Sequence, residues 1–292
     1  MLAKTSTILC VVLGATLVTA RAQADEPEPD SEKPAAPATP AAGAEGTDSL
    51  TLPHGRLLLN AFVEIGLSTG AAFKPISLSP DVWYGVTDDI TVGLVHSAAG
   101  GSGFIGGVGD ALCLTGTDNG CAELYPGLGI DARYKLKTGA FAWAADGGLY
   151  ARHLGDPLEL AVKLGALGRW HSGQLAVELE PNIFIGVTNR TVSQTVGGVT
   201  VDVGVNEDFL NLPVTVLYAV TPAIAVSAQV GALLPLESTG DAYSIPLSIG
   251  GHYRVNESLN VSLAFSLPRL VGGGDGTGFD TRSLTLGGTY AF

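Results

Sequence analysis

The sequence predicts an all-β chain that closes into an antiparallel transmembrane β-barrel of about twelve strands. Three observations carry that expectation. Hydrophobic residues make up 46 % of the 292 residues and charged residues only 15 %, against about 25 % charged in an ordinary soluble domain. The mean hydropathy is +0.32, yet no uncharged apolar run of about 18 residues or more occurs beyond the N-terminus, which excludes a polytopic helical membrane protein. From Arg56 onward, apolar and polar residues alternate with a period of two, and the connections between the alternating segments are short and long in turn. The apolar content excludes a chain disordered throughout. The formal charge of −13 argues against nucleic acid as a partner.

The chain begins with a segment for export. Lys4 supplies one positive charge, residues 8–20 are apolar, and small residues follow at Ala20, Ala22 and Ala24. This is the three-part pattern of a secretory signal peptide over residues 1–24, too short to anchor the chain in a membrane. Cys10 lies inside it, and the residue before it is Leu9 rather than a small one, so lipidation is not expected. Residues 25–55 form an Ala-, Pro- and acid-rich stretch with no aromatic residue before Thr51. Such a stretch buries too little apolar surface to fold and is expected to be a disordered periplasmic linker. Residues 56–292 remain for the barrel.

Strands are expected at about 57–67, 76–86, 90–96, 127–136, 140–152 and 158–170 in the first half. The second half gives about 174–187, 209–220, 224–233, 243–255, 259–267 and 281–292. Most approach the ~9–11 residues that a tilted strand needs to cross a bilayer. Leu259, Val261, Leu263, Phe265 and Leu267 alternate with Asn260, Ser262, Ala264 and Ser266; Leu175, Val177, Leu179, Ile183 and Ile185 alternate with Glu178, Glu180 and Asn182. A strand sorts these onto two faces, where a helix would scatter them. Short connections occur at 87–89, 137–139, 171–173, 221–222 and 256–258, all in turn-forming residues. The others, at 68–75, 97–126, 153–157, 188–208, 234–242 and 268–280, are mostly longer. Short turns toward the periplasm and longer loops outside fit this pattern.

A weak repeat marks the short turns: Tyr84-Gly-Val-Thr-Asp-Asp, Tyr218-Ala-Val-Thr-Pro-Ala and Tyr253-Arg-Val-Asn-Glu-Ser, with Tyr134 and Trp170 in the equivalent places. Aromatic residues at one level of successive strands suggest an interfacial girdle. The opposite strand face carries Glu178, Glu180, Lys163, Arg169 and Arg254. Those charges need water, so the apolar face is expected outside, against lipid. With these features, and with the ending Ser283-Leu-Thr-Leu-Gly-Gly-Thr-Tyr-Ala-Phe292, the chain resembles bacterial outer-membrane β-barrel proteins of porin-like type. The resemblance implies residence among outer-membrane lipids. It also implies that the terminal strand, with Tyr290 and Phe292, is an assembly signal read by the barrel assembly machinery. It identifies no substrate.

Motifs that carry chemistry are few, and no enzyme activity, cofactor or metal is expected. Cys113 and Cys121 flank a turn-rich stretch in the longest loop and read as a local disulfide in an exported protein, with a metal pair or free thiols as the alternatives. His96-Ser97 and His171-Ser172 invite comparison with outer-membrane lipid hydrolases, but adjacent strand residues point opposite ways. The run Gly100–Gly107 lacks the Lys-Ser/Thr ending of a phosphate loop and reads as a flexible external loop. The Gly- and Asp-rich stretch 272–280 has too few oxygen ligands for a calcium loop. The alternation projects Glu64, Asp81, Asp131, Asp146, Glu159, Glu178 and Glu180 into the lumen, with Arg133, Lys135, Arg152, Lys163, Arg169, His252 and Arg254. Two readings of this mixture stand: a solvated interior laced with salt bridges, or a selective pore with opposed acidic and basic walls. The function expected is a narrow channel for small polar solutes or ions. The alternatives are a structural or surface-interaction barrel that displays the disulfide-stapled loop and, more distantly, a lipid hydrolase.

Overall fold

A computed structural model describes residues 49–68, 72–106, 111–121, 123–196, 199–237, 242–273 and 278–292. The signal peptide and most of the linker expected above lie outside the described residues, as do Gly107 and positions 274–277 of the Gly- and Asp-rich stretch. Among the described residues no helix is long and apolar enough to cross a membrane; most of them are in strands. In order these are β1 (Leu57–Gly66), β2 (Ile76–Thr87), β3 (Ile90–Val95), β4 (Leu112–Cys113), β5 (Leu128–Lys137) and β6 (Phe141–His153). Then come β7 (Glu159–Ser172), β8 (Leu175–Leu179), β9 (Asn182–Gly186), β10 (Thr191–Val196), β11 (Val199–Gly204) and β12 (Phe209–Asn211). The last are β13 (Val214–Ala219), β14 (Ile224–Val230), β15 (Leu233–Pro235), β16 (Ser244–Arg254), β17 (Leu259–Gly272) and β18 (Ser283–Ala291).

These build a closed antiparallel barrel of twelve strands. Neighbours in sequence pair with one another, and β1 pairs with β18 from Leu58↔Ala291 to Gly66↔Ser283, which removes the sheet edge. Three strands read as continuous in the sequence are each split in two. Glu180-Pro181 separates β8 from β9, Leu212-Pro213 separates β12 from β13, and Gly231-Ala232 separates β14 from β15. Proline has no N–H to give to a ladder, which explains the first two breaks. The turn glycines Gly139 (φ 103°) and Gly173 (φ 59°) adopt the left-handed backbone that their short turns require.

The two faces separate as a period of two demands. Leu94, Ile130, Leu149, Leu164, Val216, Val226, Ile249, Leu263 and Leu286 are exposed on the outside. Tyr84, Tyr134, Phe141, Trp170, Tyr218, Tyr253 and Tyr290 are exposed at the short-turn ends of their strands. Ser77, Ser79, Asp81, Asp131, Asp146, Lys163, Asn182, Gln229, Ser248 and Ser266 are buried on the alternate positions. A hydrophobic exterior around a polar interior inverts the soluble protein and matches a barrel in lipid. Leu267 departs from the pattern: expected outside, it is buried. It pairs with Leu247 at the edge of the place where the register of β16 against β17 shifts.

Two connections do more than link strands. The segment after β3 turns into the barrel. A short helix, α1 (Ala98–Gly101), starts there, capped by the Ser97 side chain, which accepts from the Gly100 amide. Ser97 and Phe104 are buried. Residues 97–106 are therefore an inward-folded segment and not the flexible external loop expected for the glycine run. Further along, β4 pairs with Ser77 and Leu78 of β2, and the Cys113–Cys121 disulfide forms with both cysteines buried. The stapled loop is packed on the barrel wall. The second connection, 188–208, folds as its own β10–β11 hairpin.

At the short-turn end the chain enters the barrel mouth before β1 begins. Leu52 N–H donates to Thr91 Oγ1 at 2.7 Å, Thr51 Oγ1 to the Asp88 carbonyl at 3.1 Å, and His54 N–H to Asp88 Oδ1 at 2.9 Å. Residues 49–55, expected within the linker, belong to the folded barrel.

Candidate functional site

The lumen holds the densest polar chemistry of the chain, and its centre is Lys163. Its Nζ lies 2.5 Å from Asp146 Oδ2, 3.0 Å from Asp131 Oδ2 and 3.7 Å from Glu180 Oε1, and it is fully buried. Asp131, Asp146 and Lys163 lie on β5, β6 and β7, with register pairs Arg133↔Asp146 and Gly148↔Lys163, so inward positions of neighbouring strands meet. Tyr150 donates its hydroxyl to Asp131 Oδ2 at 2.5 Å. Arg133 approaches Asp146 at 3.8 Å and stacks over the Trp83 ring at 3.9 Å. A buried cation and its carboxylates are stable only as a complete set, because each alone would carry its full desolvation cost.

This charged wall holds the inward segment. Asp81 on β2 accepts from the His96 amide (2.7 Å), the Ser97 amide (2.9 Å) and the Ser97 hydroxyl. Lys163 donates to the Gly100 carbonyl at 3.4 Å, and Asn182 to the Ser102 carbonyl at 3.0 Å. Across the lumen the segment reaches a wall of neutral polar residues. Gln229 on β14 accepts from the Ile105 amide and donates to the Gly103 carbonyl, both at 2.8 Å. Ser248 on β16 donates to the Ile105 carbonyl at 3.1 Å. The glycines are what lets the chain pass so close. A Cβ on Gly100 would stand 2.6 Å from Asp81 Oδ2, and one on Gly103 (φ 83°) 2.8 Å from Pro213. A buried apolar cluster of Trp83, Val95, Tyr150, Ala161 and Phe184 fills further space on the charged side. The result is a constriction bridged from wall to wall.

The other charges projected inward are distributed along the axis. Glu64 on β1 is buried. Glu178 accepts from Arg169 at 2.8 Å, and His252 is 2.9 Å from the Ser227 hydroxyl. Arg169 and Arg254 line a cavity at the short-turn end. Lys135 is held at that end by Asp89 (2.5 Å) and the Asp88 carbonyl (2.8 Å), in the turn region. Arg152 is at the long-loop rim, bonded to Asn206 and Glu207 and lying 4.0 Å over the Phe209 ring; half-buried Glu159 begins β7 at the same end. The structure thus brings Asp81, Asp131, Arg133, Asp146, Lys163 and Glu180 around one level, and leaves Lys135, Arg152 and Glu159 outside it. Reasoning from charge alone passed over Ser97, Tyr150, Asn182, Gln229 and Ser248. Strand parity places four of them inward, and the capping pattern at Ser97 is the signal for the fifth.

His96 and Ser97 are not joined as nucleophile and base. Ser97 Oγ donates to Asp81, while His96 Nδ1 is bound at the Pro80 carbonyl, 2.5 Å away. His171 and Ser172 end β7 at a short turn. Among the described residues no group of three or more His, Cys, Asp or Glu is placed to hold a metal ion. At the long-loop end, hydrogen bonding and charge from Arg190, with the Gly186 amide, hold the Asp208 carboxyl below its usual pKa.

No protein-family model and no curated protein matches the chain. Solved structures share its architecture. The NanC porin structure aligns with a TM-score of 0.52 at 8 % identity, covering 80 % of this chain and 98 % of that one. The KdgM porin in complex with disordered oligogalacturonate gives 0.48 at 9 % identity, over 80 % of this chain and 99 % of that one. The COG4313 outer membrane channel from Pseudomonas putida F1 gives 0.48 at 15 % identity, over 83 % and 97 %. The likeness to NanC is one of fold. Together with the exposed apolar belt and the aromatic level, it shows a closed β-barrel of the fold that this porin has, with an exterior suited to lipid.

Proposed function

We propose that the protein is a narrow channel for small polar solutes or ions. The observation that carries this reading is the lumen itself. A polar interior runs inside an apolar exterior, and the inward segment 97–106 narrows it at the level of Lys163. A barrel that served only to display a loop would need neither a buried ion cluster nor a segment bonded to both walls. The packing of the disulfide against β2 further weakens the display reading. Water solvates polar walls readily, and the polar share of the lumen suits small hydrophilic solutes. The short-turn end faces the periplasm in this reading, with the long loops outside. The terminal strand, ending in Tyr290 and Phe292, is read by the barrel assembly machinery.

Proteoliposome swelling tests the proposal. Vesicles holding the refolded protein should admit the smallest neutral sugars, with a rate that falls steeply as the sugar grows. Swelling no faster than in protein-free vesicles contradicts the proposal. A rate that ignores solute size contradicts the constriction.

A further inference from the structure

A cavity of about 480 Å³ opens at the short-turn end, between the barrel wall and residues 49–53. It has a marked charge bias. Arg56, Arg133, Arg169 and Arg254 line it, against one carboxylate, Glu257. Leu52, Leu58 and Leu167 supply apolar lining. Acidic neighbours stand behind at least two of these cations, and Arg254 is not without a partner either. Glu178 accepts from Arg169 at 2.8 Å, and Asp146 stands 3.8 Å from Arg133. Asp146, however, is held at 2.5 Å by Lys163, and Arg133 Nε has no hydrogen-bond acceptor among the described residues. Arg133 is also pre-oriented by its stack on Trp83. The pinned segment around Leu52 gives the mouth a floor and makes it a pocket.

We propose that this vestibule binds a small organic carboxylate. Guanidinium groups of Arg133, Arg169 and Arg254 receive the carboxylate head, and the leucines receive the apolar body. A planar guanidinium offers paired N–H donors that match a carboxylate, and low-dielectric walls strengthen that attraction. The vestibule lies below the constriction, so the bound anion would occupy the approach to the pore. In that respect the inference rests on the channel reading; the binding itself does not.

The test is titration calorimetry on the full chain in lipid nanodiscs, with benzoate as the probe. Benzoate should bind saturably, and benzyl alcohol, the same ring without the charge, should not. The double variant Arg169→Gln/Arg254→Gln should weaken benzoate at least tenfold. Arg190→Gln, at the opposite end of the barrel, should leave the affinity unchanged. Equal binding of benzoate and benzyl alcohol by the unaltered protein overturns the site without recourse to any variant, as does absence of saturable binding. So does an unchanged affinity in the double variant. Proteoliposome swelling run in parallel separates the two readings. Swelling without benzoate binding removes the site and leaves the channel, and binding without swelling removes the channel and leaves the site.

Discussion

Lys163 shows how one residue can hold a lumen together. Its ammonium faces Asp131, Asp146 and Glu180, away from lipid and solvent. Lys163→Met keeps the volume and deletes the charge, leaving three carboxylates without their shared cation. The expected loss is about 3–5 kcal/mol, the usual result of breaking a buried ion pair, read by urea unfolding in lipid vesicles. Adding Asp146→Asn to that variant should recover part of the loss, because residues in one network do not act independently; equal losses would show that the two do not share an interaction. On β17 the contrast is between faces. Leu263 is exposed outside at 47 %, and Ser262 faces His252 and Gly287 across the ladder. Leu263→Arg should cost about 2–4 kcal/mol near the bilayer midplane, while Ser262→Arg should leave the barrel foldable. Unfolding of both variants in vesicles decides it, and an equal or larger loss for Ser262→Arg would reverse the faces. These face assignments were legible in the sequence, because one face of a strand is set by every second residue. The partners of Lys163 were not, since alternation says which way a side chain points and not which neighbour it meets.

Among the elements, strands with an uninterrupted ladder were the most legible, and the segment between β3 and β4 the least. Its small residues carry no polarity signal, and its direction is fixed by Gln229 and Ser248, far away in the sequence. The breaks in the barrel belong to the same story. Gly103 packs on Pro213 and beside Glu180, and Phe104 lies against Gly231, so three split strands line the place where the segment presses on the wall. Pro181 and Pro213 have no N–H to give, yet both strands were expected to run through them, and what the breaks make room for lies elsewhere in the chain. The disulfide loop makes a separate prediction. Cys113 and Cys121 close a short loop, and by chain entropy such a link contributes about 2–3 kcal/mol. Reduction should raise hydrogen exchange at the Cys113 and Leu114 amides, which donate to Leu124 and Ile76, while the barrel ladders keep their protection. Protection unchanged at those two amides would show that β4 is held by the wall alone.

At the scale of the whole molecule, orientation and assembly follow from closure. Both ends of the strand order lie at the short-turn end, where β1 starts beside the end of β18 and the Phe292 amide donates to the Leu57 carbonyl. Tyr290 and Phe292 stack edge-to-face with centroids 4.6 Å apart. Deleting Phe292 should lower the amount of heat-modifiable barrel in the outer membrane without blocking export; an undiminished amount would remove its role in assembly. Tags at Gly120 and Asp88 should be labelled and unlabelled, respectively, in intact cells; the reverse pattern would invert the barrel. Twelve strands, their order and their hand of exposure were readable because a barrel repeats one rule twelve times. The constriction was not, since it depends on where a single segment goes inside. Single-channel recording in a planar bilayer tests the constriction directly. The unaltered protein should conduct in small discrete steps, and Gln229→Ala/Ser248→Ala, which cuts the far anchor of residues 97–106, should conduct in larger ones. Identical steps in the two proteins, or silence in both, would contradict a pore narrowed by that segment.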